Sequence, residues 1–76
     1  MSHTLCFLTK NEVSIRERGE QTIWKILEAN YDKERFFLLS CKVRRGDIIR
    51  EYKTRELLPS KTLRATLISE ERLHDK

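Results

Sequence analysis

Short runs of alternating apolar and polar residues make up most of this chain. The densest of them, Phe36-Phe37-Leu38-Leu39-Ser40-Cys41-Lys42-Val43, predicts a central β-strand. It is bounded by Asp32-Lys33-Glu34 and by Arg44-Arg45-Gly46-Asp47, a length that suits a strand and is short for a helix. Strict alternation puts Phe37, Leu39, Cys41 and Val43 on the core face and Phe36, Leu38, Ser40 and Lys42 on the other. On that expectation Leu39→Ala removes core volume, whereas Lys33→Ala in the preceding turn is nearly silent.

Upstream, Glu12-Val13-Ser14-Ile15-Arg16 alternates with Val13 and Ile15 inward, and Glu17-Arg18-Gly19-Glu20 reads as a turn in which Gly19 permits a tight bend. Residues 22–31 fit neither the strand nor the helix period throughout. Their β-branched and aromatic first half favours a strand with a bulge near Ile26-Leu27 over a helix. Residues 4–8 are either a short strand or an apolar arm that closes the core, after a frayed 1–3.

Downstream, Arg44-Arg45-Gly46-Asp47 predicts a hairpin into Ile48-Ile49-Arg50-Glu51-Tyr52-Lys53. A three-residue loop would set Val43 opposite Ile49 and keep Lys42, Arg50 and Tyr52 outside, which avoids burying an unpaired arginine. Thr54-Arg55-Glu56-Leu57-Leu58-Pro59 predicts a single-turn corner, because Pro59 lacks a donor. Residues 61–69 alternate at Leu63, Ala65 and Leu67. The four-residue step from Leu63 to Leu67 leaves a helix open, with a strand preferred. Ser69-Glu70-Glu71 resembles an N-cap, which gives a terminal helical turn from Glu70 to His74 within a frayed 70–76.

The expected fold is therefore all-β, or β with a short C-terminal helix: an antiparallel barrel of about five strands. A chain of 76 residues holds a single domain, 1–76, whose core spans about 11–68. The 38% hydrophobic and 37% charged composition supplies one small core and strands with one wet face. No run approaches the roughly 20 apolar residues of a membrane span, and residues 4–8 lack the basic flank of a signal peptide, so a cytoplasmic protein is expected. Cys6 and Cys41 have no CxxC spacing and read as buried reduced thiols.

Charge changes the picture more. The net +4 is uneven: residues 1–34 carry five basic and six acidic groups, 35–64 nine and three, and 65–76 two and three. The basic excess falls on the central hairpin and the residues immediately after it. The strand order together with the Thr-Arg-Glu-Leu-Leu-Pro corner resembles a small SH3-like barrel of the KOW or Tudor kind over roughly 11–68. The resemblance is architectural and includes no aromatic cage. It implies a binding module for nucleic acid, ribosomes, polymerases or other proteins.

The residues offer two candidate interfaces. Lys42, Arg44, Arg45, Arg50, Lys53 and Arg55 could face a phosphate backbone, with Tyr52 as a stacking ring; the plainer alternative is a solvated face partly paired with Asp47, Glu51 and Glu56. Phe36 and Leu38 could form an apolar patch for a protein partner or a homodimer, unless residues 5–8 cover it. Trp24 reads as core. Arg45-Gly46-Asp47 matches an adhesion tripeptide and reads as turn chemistry. His3 and His74 lie at opposite ends, and no nucleophile with a base, metal-ligand cluster or Gly-rich phosphate loop occurs. The expectation is a non-enzymatic binding module with no cofactor and no metal. Nucleic acid is its first candidate partner, a protein its second, and no membrane is involved.

Overall fold

The computed structural model describes residues 2–34, 37–54 and 62–72. They form six strands: β1 (Ser2–Phe7), β2 (Glu12–Glu17), β3 (Glu20–Tyr31), β4 (Leu38–Arg45), β5 (Ile48–Thr54) and β6 (Thr62–Arg72). Each strand pairs antiparallel with its sequence neighbours, and β6 closes on β1, so the sheet is a barrel. The additional strand relative to the expected five is β1. It removes the unpaired edges that β2 and β6 would otherwise present, with Leu5 opposite both Ile15 and Leu63.

The core contains Leu5, Val13, Ile15, Trp24, Leu38, Cys41, Val43, Tyr52, Leu63 and Ala65. It therefore begins at Leu5 rather than at residue 11, and residues 2 and 3, expected to fray, belong to β1. β6 continues as a strand to Arg72, so the helical turn expected from Glu70 is absent over 70–72; its remainder lies outside the described residues. The corner expected at 54–59 likewise lies outside them from residue 55 onward.

Three bulges decide which side chains face inward. Register shifts fall between Ile26 and Glu28 on β3, between Asn30 and Tyr31 opposite β4, and between Glu51 and Tyr52 opposite β6. Leu27, Leu39 and Ile68 are the extra residues at these points, and all three are exposed large apolar side chains. An inserted residue reverses the alternation beyond it. The bulge expected near Ile26-Leu27 is present. The one at Leu39 overturns the facing expected for the central strand: Leu38 is fully buried with Cys41 and Val43, while Phe37 and Leu39 lie outside. The Thr54 hydroxyl, itself buried, donates to the Leu38 carbonyl beside this bulge.

The β4–β5 loop has two residues, not three, since Arg45 pairs with Ile48 and Val43 with Arg50. Gly46 at φ 61° is the first of the two central residues, the pattern of a II′ turn, whose twist matches the flanking strands. The β2–β3 turn uses positive φ at both Arg18 (52°) and Gly19 (81°), the I′ pattern. With two-residue loops, Arg50 and Tyr52 lie on the inner face.

Burial pushes the Cys41 thiol up from 9.0 to about 11, with the Glu51 charge adding to the effect. Cys6 is half-buried. At pH 8, iodoacetamide is expected to label Cys6 and to spare Cys41 until denaturant is added. Equal labelling of both in the native state would contradict the packing. The folded state holds the Cys41 proton more tightly than the unfolded chain does. Its stabilising contribution is thus complete below pH 9 and declines as pH rises toward 11.

Candidate nucleic-acid interface

The barrel separates the cations that the sequence groups together. Lys42 and Arg44 on β4 and Lys53 on β5 alternate with buried neighbours and face outward, and Arg45 lies beside the β4–β5 turn. Arg44 Nε donates to the Gly46 carbonyl at 2.9 Å, which fixes its stem against the turn. Arg55 and Phe36 lie outside the described residues.

Arg50 and Tyr52 are not part of that surface. Tyr52 is fully buried and cannot serve as a stacking ring. Arg50 Nη1 is 2.7 Å from Glu17 Oε1 and donates to the Tyr52 hydroxyl at 3.1 Å. The guanidinium lies over the Trp24 ring, 4.8 Å from its centroid. Glu70 Oε1 is 3.4 Å from Arg50 Nε, an ion pair that lacks hydrogen-bond alignment. Burial alone would lower the Arg50 pKa, but the bonds to Tyr52 and Glu17 outweigh it and raise it above its ordinary value. Burial raises the Tyr52 hydroxyl above 10.0 against the lowering effect of Arg50. His3 completes the cluster, with Nε2 3.4 Å from Glu17 Oε1 and its ring edge-on to Tyr52 at 5.2 Å. Arg50, expected on the outer face so as not to bury an unpaired arginine, is thus inside and paired. A cleft of about 150 Å³ beside it is lined by Glu17, Glu20, Thr22, Trp24, Arg45 and Arg50, and its two acids make it unsuited to phosphate.

Leu38, expected at an outer contact patch, is core. The apolar surface in that region comes instead from Tyr31, Phe37 and Leu39, exposed at 42%, 38% and 46%. Trp24 is buried, as expected of an aromatic in so small a core, and its Nε1 donates to Thr22 Oγ1 at 2.7 Å.

Cross-strand register sets the charge pattern outside. One row reads Glu12, Lys25, Arg44, Ile49, Glu71 from β2 to β6; the next reads Glu28, Lys42, Glu51, Ser69. Ion pairs within 4.0 Å between described residues join His3 and Arg50 to Glu17, and Arg50 to Glu70. The outward hairpin cations are therefore flanked by carboxylates without being clamped to them. A different face carries cations with no acid in the row: Arg64, Thr4, Arg16 and Gln21 lie side by side across β6, β1, β2 and β3. Charge counting along the chain misses this row, because Arg16 belongs to an acidic part of the sequence.

Among the described residues no group of three His, Cys, Asp or Glu could hold a metal ion, and no helix is long and apolar enough to cross a membrane. Comparison with protein-family models, with curated proteins and with solved structures finds no match.

Proposed function

We propose that this chain is a non-enzymatic binding module, a small SH3-like barrel that holds nucleic acid through its phosphate backbone with little sequence choice. The observation that carries this reading is that Lys42, Arg44 and Lys53 stand on the outside of β4 and β5, with exposed Arg45 at the turn end beside the Arg50 cleft, and that none of the four has a carboxylate within 4.0 Å among the described residues. Unclamped cations are free to replace counterions along a phosphate chain, and such binding is strongly salt-dependent. The fold offers no helix among the described residues to enter a major groove, which favours backbone contacts over base readout.

For four neutralised phosphates, affinity for a mixed-sequence oligonucleotide is expected to fall about 10²-fold between 50 and 200 mM salt. Arg44→Glu with Arg45→Glu should weaken binding to every sequence alike and flatten the salt slope, with the circular dichroism spectrum unchanged. The titration is run against single- and double-stranded DNA and RNA. Absence of binding to all of them at low salt would remove the reading.

A protein partner is the second reading, favoured by the exposed Tyr31, Phe37 and Leu39 at the far end of β3 and β4. Capture of a partner that Leu39→Glu abolishes would support it.

A further inference from the structure

We infer a discrete phosphoryl-binding groove away from the hairpin, formed by side chains of β1, β2, β3 and β6. It encloses about 230 Å³ and is lined by Thr4, Cys6, Ser14, Arg16, Gln21 and Thr62. No acidic residue is among them. Thr4 stands at its centre, with Arg16 opposite on β2 and Arg64 opposite on β6, so two arginine positions bracket one hydroxyl. Neither arginine has a carboxylate within 4.0 Å among the described residues.

The next row supplies the Ser14 hydroxyl. Cys6 pairs in register with Ser14 on β2 and with Thr62 on β6. Gln21 Nε2 donates to Ser14 Oγ at 2.5 Å, which occupies an acceptor site of that buried hydroxyl and leaves its O–H free to donate. A groove with hydroxyl donors, Arg16 in its wall and Arg64 beside Thr4 on the neighbouring strand, suits a ligand with several acceptor oxygens and negative charge. A phosphoryl group has three or four such oxygens in tetrahedral array, and arginine can meet two at once. A carboxylate has two oxygens in one plane and would leave hydroxyl donors unmet.

This site does not depend on the hairpin reading, since none of Lys42, Arg44, Arg45 or Lys53 lines it. The test is a ¹⁵N–¹H titration of the full chain with inorganic phosphate, repeated at constant ionic strength with chloride as control. Saturable shifts are expected at Thr4, Cys6, Ser14, Arg16, Gln21 and Thr62, with hairpin amides unmoved, together with slower alkylation of Cys6. Arg16→Gln and Arg64→Gln should each weaken phosphate at least about tenfold while preserving spectral dispersion. Competition then separates the sources of the group: displacement of phosphate by an oligonucleotide assigns the groove to a nucleic-acid backbone, and displacement only by small phosphate monoesters assigns it to a free phosphorylated ligand. Shifts absent, spread equally over Arg44 and Arg45, or insensitive to both substitutions would overturn the inference.

Discussion

Leu38→Ala is expected to cost about 2–5 kcal/mol, while Leu39→Ala one position later should fall within about 0.5 kcal/mol of wild type. Leu38 is fully buried on β4, and its removal leaves a cavity that a small closed barrel has little freedom to collapse. Leu39 is the extra residue of a bulge and 46% exposed. For a domain of this length total stability is roughly 4–11 kcal/mol, so the first change removes a large fraction of it. At about 4–8 °C per kcal/mol, the two variants should be separated by at least about 6 °C in Tm. Urea unfolding with an unchanged m value checks that the loss belongs to the folded state. The opposite order, with Leu39→Ala the more damaging, would mean that the strand alternates without a bulge.

Arg50→Ala is the second large effect, expected at about 3 kcal/mol. Removing one partner of a fully buried ion pair costs roughly 3–5 kcal/mol, and the Arg50 side chain is 16% exposed and Glu17 33%, which places the value at the lower end. The loss has several parts. Glu17 and Glu70 would face the same space without a cation, the Tyr52 hydroxyl would lose a donor, and the Trp24 face would lose its guanidinium. Arg50→Met keeps an unbranched apolar stem, so it separates packing from charge; it should lose nearly as much as Arg50→Ala if the carboxylates dominate. A double-mutant cycle with Glu17→Gln should return a coupling of about 1–3 kcal/mol. Coupling near zero, with Arg50→Ala as stable as wild type, would mean that Arg50 is a solvated outer cation. Nucleic-acid affinity provides a further contrast: because Arg50 is engaged inside, Arg50→Met should leave binding by the hairpin cations unchanged wherever the protein remains folded.

Local information carries most of the secondary structure. β2 can be read from alternation at Val13 and Ile15, the β2–β3 turn from Gly19, the bulge in β3 from adjacent Ile26 and Leu27, and the β4–β5 hairpin from Gly46 between two β-rich runs. These signals lie within a few residues of one another, so periodicity and turn chemistry suffice to read them. β1 is ambiguous in the sequence because Leu5-Cys6-Phe7-Leu8 is continuous rather than alternating. It becomes a strand by pairing with β6, about sixty residues away.

The candidate sites are less legible for the same reason. A sequence gives the order of charges along the chain, and a barrel sorts them by strand register. Two-residue turns and a bulge at Leu39 move Leu38, Arg50 and Tyr52 inward from the faces that simple alternation assigns. The penalty that argues against burying Arg50 applies only to an unpaired cation, and Glu17 and Glu70, on strands remote in sequence, supply its partners. In the same way Arg16 and Arg64, 48 positions apart, become neighbours across Thr4. The sequence by itself determined that this chain is predominantly β, where most of its turns fall and that its central segment is basic. Tertiary structure alone decided which side of each strand faces the core and which cations share a surface, because a one-residue shift in register, set by turn length and bulges, exchanges the two faces of a strand.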